Sequence, residues 1–243
     1  MRKLIRSFLQ RFGYDIVKYK APFQRSRLDR EELLREYRWL ENYHFKTIVD
    51  VGSNEGQFSD KMRMLFPKAV IYGFEPLPSV FERLKSNFLG DEQFHAINQG
   101  LGDRAGEIEI RENESSASSS FLVLGDEHKK NFEEALEART LMVKVDTLDN
   151  FFTDRRIENP LLLKMDVQGF EDKVIAGGKV TLQKASVVIC ELSYIELYKG
   201  QPLFETIFEL FKNLGFIYSG SVEQLRSPDT NKVLQEDGIF IKK

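Results

Sequence analysis

Three carboxylates, each at the end of an apolar run, are the groups through which this 243-residue sequence could do chemistry. Asp50 lies in "IVDVGSNEGQFS" (residues 48–59), Glu75 closes "VIYGFEP", and Asp166 closes "LLLKMD" in "LLLKMDVQGFE". In the first stretch the β-branched Ile48, Val49 and Val51 suit a strand covered on both faces, and Gly52 and Gly56 free the backbone for a turn that opens a helix. α/β proteins hold nucleotides at such turns. A pyrophosphate turn reads G-x-G-x-x-G, its middle glycine letting the backbone approach the phosphates; here the spacing is G-x-x-x-G, and Ser53 and Asn54 present side chains instead. Asp50 beside the turn repels a diphosphate and suits an ammonium or sulfonium. Glu75, at a second strand's tip, is positioned to accept both hydroxyls of a ribose. S-adenosylmethionine carries both cations, a ribose and no phosphate. The plainer alternative is that Asp50 caps the following helix and Glu75 is solvated.

Ligands of parallel sheets sit beyond the carboxyl ends of the strands, so the other strand ends belong to the same inventory. "NQGLGD" offers Leu101 and Gly102 to flank an adenine, and "LLLKMDVQGFE" delivers Lys164, Asp166, Gln168 and Glu171 around Gly169. Glu191 and Tyr194 end a further apolar run. Lys164 either orients an acidic ligand or pairs with Glu171 or Asp166. Asp166 and Glu191 are oxygen donors of the kind divalent cations prefer, but no compact metal-ligand spacing accompanies them, and no metal is assigned. His44, His95 and His128 are scattered and read as surface or core residues.

The elements that must position these groups alternate from residue 46 onward. The patterning predicts strands at Thr47–Val51, Val70–Phe74, Phe94–Asn98, Leu161–Met165, Val187–Glu191, Phe216–Tyr218 and Gly238–Ile241. Helices are predicted at Gln57–Phe66, Ser79–Asn87, Glu171–Gly177 and Pro202–Leu214. This is an α/β pattern, with a mostly parallel sheet and helices on both faces. An insertion at about 107–146 interrupts it with strands Glu107–Arg111 and Thr140–Val145, a serine-rich loop and an acidic helix, expected to lie over the open edge of the site. The serines 115–120 read either as a flexible linker or as a binding loop.

Residues 1–45 form a basic N-terminal helical extension, ahead of a domain at 46–243. Residues 1–30 hold nine Lys/Arg against two Asp, whereas the whole chain carries a net charge of −3, so the remainder is acidic. Leu4, Ile5, Phe8, Leu9 and Phe12 share a helical face opposite the basic groups, which suits either a membrane-surface helix over residues 1–12 or packing on the domain. In "LDREELLREYRWLENY", Leu33, Leu34, Tyr37, Leu40 and Tyr43 have helical spacing that serves intramolecular packing or a homodimer. Hydrophobic content of 42% and charged content of 30% describe an ordinary globular chain without a membrane span. The acidic domain lacks a basic stripe with aromatic platforms, so no nucleic-acid partner is expected. The single Cys190 cannot form an internal disulfide and fits a reducing, cytoplasmic compartment.

The blocks "DVGSNEGQFS", "GFEPLPSVFERLKSN", "GLGDRAG", "VDTLDNF", "LKMDVQGFEDKVIAGG" and "ELSYIELYKG", in this order, closely resemble the FkbM-type family of S-adenosylmethionine-dependent methyltransferases. The likeness runs from about residue 46 to the C-terminus. Ser53 and Gly100 stand where alanine is more usual. The resemblance implies a Rossmann-like class I fold with a seven-stranded sheet whose last strand is antiparallel, and methylation of hydroxyl groups on sugars, polyketides or glycans. It implies that Asp50, Gly52, Asn54 and Gly56 surround the methionine part of the cofactor, with Ser53, Gln57 and Pro76 alongside. Glu75 would hold the ribose, and Leu101, Gly102 and Asp103 would border the adenine.

Asp166 would lie near the methyl group, either taking the proton of an acceptor hydroxyl or binding the methionine ammonium. Glu191 is the second candidate base, and Ser118, Ser119, Gln168 and Tyr194 are read as touching the acceptor. The competing functions are an N- or carboxyl-methyltransferase, a cofactor-binding subunit without turnover, and an NAD-dependent oxidoreductase, the last disfavoured by the glycine spacing.

Overall fold

A computed structural model describes residues 36–113, 119–131 and 137–243. The proposed amphipathic helix at 1–12 and Ser118 lie outside the described residues.

The centre of the molecule is set by two strands, β1 (Thr47–Val51) and β7 (Leu161–Met165), in which every residue is buried. Covered on both faces, they read as apolar runs without alternation, each interrupted by one buried charged residue, Asp50 in β1 and Lys164 in β7. Flanking them are β2 (Val70–Phe74), β3 (Phe94–Ile97), β8 (Ala185–Ser193), β9 (Phe216–Arg226) and β10 (Val233–Lys242). The seven form one sheet in the order β3-β2-β1-β7-β8-β10-β9, and β10, the last strand, runs antiparallel to both neighbours. Successive residues of β1 point to opposite faces, so Val49 joins one core with Phe74, Leu163 and Val188, while Ile48 joins another with Ile71, Leu162 and Val187. Helices cover both: α1 (Gln57–Leu65) and α2 (Pro78–Asn87) bury Met62 and Leu84 in the second core. α5 (Glu171–Gly177) and α7 (Phe204–Asn213) bury Val174, Ile207 and Phe211 in the first. The short helices α3 (Asp126–Asn131), α4 (Leu148–Phe151) and α6 (Lys179–Leu182) complete the described helices.

Register is what makes a site of the strand ends. Val51 pairs with Phe74 on β2 and Met165 on β7, and Met165 pairs with Cys190 on β8. The next residues, Gly52, Glu75 and Asp166, therefore leave β1, β2 and β7 at one level, and Glu191 stands at the same level within β8, which continues to Ser193.

A second sheet, in the order β4-β6-β5, is built from β4 (Gly100–Leu101), β5 (Gly106–Asn113) and β6 (Glu137–Asp146). Ile110 of β5 and Val143 of β6 pack on Leu77 and Val80 at the start of α2, which brings this sheet to the same rim.

The structure departs from the sequence expectation in several elements: β4, α4 and α6 are additional, and β8 extends two residues further at each end. β9 and β10 run well past Tyr218 and start before Gly238, because their polar ends pair with each other, Val233 with Arg226 and Glu236 with Gln224, without an apolar alternation to announce it. Residues Arg38–Tyr43 form a 3-10 turn rather than an α-helix. Tyr37, Leu40 and Tyr43 recur every three residues, the period of that helix, and Tyr37 and Leu40 are buried in the core.

Candidate active site

Beyond this rim opens a cleft lined by the ends of β1, β2 and β7 and by residues of the insertion. One wall is the turn after β1. Gly52 (φ +81°) lets that turn cross the exit of β7 so closely that a Cβ there would stand 1.8 Å from the Asp166 carbonyl oxygen. Gly56 (φ +92°) then starts α1. Gly52 and Asn54 face the cleft together with Phe74, Glu75, Pro76 and Leu77 from the end of β2.

Glu75 is held from both sides. Its Oε2 accepts the Asn54 N–H at 3.0 Å, and its Oε1 accepts the Leu77 N–H at 2.8 Å. Burial pushes its carboxyl up to about 7, against the lowering effect of these N–H groups. A fixed, acceptor-only carboxylate facing a cleft suits the paired hydroxyls of a ribose. Leu101 and Gly100 of β4 continue the wall and offer apolar contact of the kind an adenine needs. The opposite side comes from the insertion: Ile110, Ser119, Ser120 and Phe121.

Asp166 closes the floor. Its Oδ1 accepts from Gln168 Nε2 at 2.8 Å and its Oδ2 from Lys164 Nζ at 3.3 Å. Lys164 is buried and also donates to Asp237 Oδ1 of β10 at 3.0 Å. Burial disfavours its charge, but Asp166 and Asp237 together hold the ammonium well above its ordinary range. Lys164 is thus spent within the protein, as the pairing alternative had it, with Asp237 in place of Glu171. Glu171, at the start of α5, is buried and accepts the N–H groups of Val167 and Gly169, which shapes the loop.

Of the residues expected at the site, Gly52, Asn54, Glu75, Pro76, Leu101, Asp166, Ser119 and Gln168 line the cleft. Asp50 does not. It pairs in register with Gly73, one residue short of the strand end, and is 1% exposed beneath the turn. Its Oδ2 accepts from Ser59 Oγ of α1 at 2.6 Å, and burial lifts its carboxyl to about 6. Asp50 thus ties α1 to β1 through the Ser59 hydroxyl rather than capping the helix, whose N-cap is Gly56. Ser53 is likewise internal, its hydroxyl donating to the Asp50 carbonyl. Gly56 and Gly102 are buried behind the wall, and Gln57 is exposed on α1. Glu191 stands one layer back, accepting Gln168 Nε2, and burial followed by Asp166 and Glu171 raises its carboxyl well above the usual range. Tyr194 is stacked on Phe204 at 5.3 Å, away from the cleft lining. Ile110, Ser120 and Phe121 lacked any sequence signal beyond the serine-rich loop preceding Phe121. Among the described residues no group of three or more His, Cys, Asp or Glu is arranged to hold a metal ion, and no helix is long and apolar enough to cross a membrane.

Comparison with known proteins identifies the family and the fold. Residues 50–218 match the family described as Methyltransferase FkbM domain. The chain is 28% identical over 176 residues to the 2-O-methyltransferase NoeI of Sinorhizobium fredii, covering 70% of this chain and 72% of that one. It is 27% identical over 144 residues to the hexuronic acid methyltransferase AglP of Haloferax volcanii, covering 59% of this chain and 54% of the relative. Among solved structures, a methyltransferase FkbM from Methylobacillus flagellatus shares the fold with a TM-score of 0.50 at 12% identity, covering 82% of this chain and 44% of that one.

Proposed function

Since the chain belongs to the FkbM methyltransferase family, with S-adenosyl-L-methionine as its cofactor, we propose that it methylates a hydroxyl oxygen of a carbohydrate or small natural product. The observation that carries this reading is the common level of Gly52, Glu75 and Asp166 at the rim of one cleft. The relatives named as a 2-O-methyltransferase and a hexuronic acid methyltransferase support an oxygen acceptor on a sugar.

The cofactor supplies an electrophilic methyl group on a sulfonium, already a good leaving group. The protein's own work is to align an oxygen, exclude water and receive a proton. In this reading Glu75 accepts the ribose hydroxyls, the Gly52–Asn54 turn borders the methionine part, and Leu101 borders the adenine. Asp166, oriented by Gln168 and Lys164, accepts the hydrogen bond of the acceptor hydroxyl and takes its proton as attack proceeds. Phe121, Ile110 and Ser119 close the acceptor side. A cytoplasmic location, contact of residues 1–12 with an anionic membrane surface, and a homodimer belong to the same reading. They are supported by the buried free Cys190 and by the basic and apolar patterns of residues 1–43.

The test is transfer of a labelled methyl group to a panel of oligosaccharides and sugar nucleotides, read by mass spectrometry. The expected product is an alkali-stable methyl ether. A base-labile ester or an N-methyl product would overturn the oxygen assignment.

A further inference from the structure

Gln168 is pinned at every polar atom of its side chain and at its carbonyl. Its backbone sits in the left-handed region (φ +53°), uncommon for a residue with a side chain, and Ser120 Oγ donates to its carbonyl oxygen at 2.6 Å. Its Nε2 donates to Asp166 Oδ1 at 2.8 Å and to the Glu191 carboxyl at 3.0 Å and 3.2 Å. Its Oε1 accepts from Tyr198 Oη at 2.6 Å. Two carboxyls on one side of the amide demand the nitrogen there, so the oxygen must face Tyr198, whose hydroxyl is the donor.

The Tyr198 ring does not depend on that hydroxyl for its place. It is fully buried, clusters with Leu124 and Leu197, lies 5.5 Å from the His128 ring, and shares a backbone bridge with Leu124. An amide rotates easily about its last side-chain bond, and a donor at one end with acceptors at the other fixes its plane.

From this chain of contacts we infer that Tyr198 is a positioning residue for methyl transfer, setting the direction of the Asp166 carboxylate through the Gln168 amide. The inference rests on the assignment of Asp166 to the acceptor hydroxyl. It adds a residue that neither lines the cleft nor touches Asp166, yet orients the group expected to receive the proton. The loop 194–201 thereby becomes part of the catalytic support, coupled to the insertion through the Gly125 N–H to Leu197 carbonyl bond (2.7 Å) and the Lys199 N–H to Val123 carbonyl bond (2.8 Å).

Tyr198→Phe deletes the hydroxyl and keeps the ring. In the full chain bound to S-adenosylhomocysteine, the side-chain amide resonances of Gln168, identified by their loss in Gln168→Ala, should be protected from solvent exchange and should shift and lose protection in Tyr198→Phe. Affinity for S-adenosylhomocysteine should stay within about twofold, while turnover on an accepted sugar falls about tenfold with little change in the KM for S-adenosylmethionine. In a Gln168→Ala background the same change should add nothing, because the path runs through the amide. Unprotected Gln168 resonances in the unaltered protein, unmoved resonances in Tyr198→Phe, or an equal loss of turnover in both backgrounds would each overturn the inference. Moved resonances without any effect on transfer would instead overturn the role given to Asp166.

Discussion

Glu75, leaving the end of β2, accepts the backbone N–H of Asn54 in the turn after β1 at 3.0 Å, so one carboxylate joins two neighbouring strand ends and still faces the cleft. It does so at a cost in solvation: its carboxyl is raised from 4.5 to about 7.

The sign of the resulting pH dependence is definite. A carboxyl raised in the folded state contributes stability that is present below about pH 4.5 and is lost as pH rises through about 7. Glu75→Gln should therefore flatten the decline in stability of the ligand-free protein between pH 4.5 and 8, while giving up one of the two backbone N–H bonds, because an amide nitrogen cannot accept. Ribose hydroxyls are donors and favour the ionised form, so affinity for S-adenosylhomocysteine should rise between pH 6 and 8, and Glu75→Gln should weaken it. Calorimetric titration at both pH values measures this; equal affinities across the range in the unaltered protein would remove Glu75 from the ribose.

Asp50 should behave differently although its carboxyl is also raised, to about 6. It lies beneath the turn on Ser59, so Asp50→Asn, which keeps a hydrogen-bonding oxygen, should leave cofactor affinity within about fivefold. Loss of binding comparable to that of Glu75→Gln would show that Asp50 acts on the ligand directly.

Asp166→Asn retains the shape of the side chain and removes its capacity to take a proton. Turnover should fall by about 10²-fold or more, with the circular-dichroism spectrum and S-adenosylhomocysteine affinity preserved. Retained turnover would direct attention to Glu191, one layer behind.

Lys164 offers a stability test. Replacing it by Met leaves Asp166 and Asp237 without their ammonium (3.3 Å and 3.0 Å), which should destabilise the protein by about 3 kcal/mol, since Asp237 is largely buried. Adding Asp237→Asn should recover part of the loss in urea unfolding. Additive losses would mean that the two groups are not coupled.

Gly52→Ala would put a methyl group 1.8 Å from the Asp166 carbonyl on a backbone at φ +81°. A melting-temperature loss corresponding to about 2 kcal/mol or more is expected, together with weakened cofactor binding, because the turn must withdraw from β7.

Much of this molecule follows from the sequence alone. β1, β2 and β7 have the predicted ends, because strands covered on both faces are predominantly apolar and stop where turn residues begin. The carboxylates Glu75 and Asp166 and the glycine turn were legible because parallel strands direct their ends to one side, and the methyl-transfer family was legible from the resemblance of the ordered sequence blocks. What only the tertiary structure decided is which of those groups meet the ligand space. Asp50 precedes the level at which Val51, Phe74 and Met165 align and is enclosed, whereas Glu75 and Asp166 follow it and emerge. Register between strands distant in the chain makes that distinction, and a strand's own pattern does not contain it. The cleft wall of Ile110 and Phe121 likewise arises from long-range packing of an insertion whose polar residues carry no periodic signal, and the path from Tyr198 through Gln168 to Asp166 joins two loops distant in the chain.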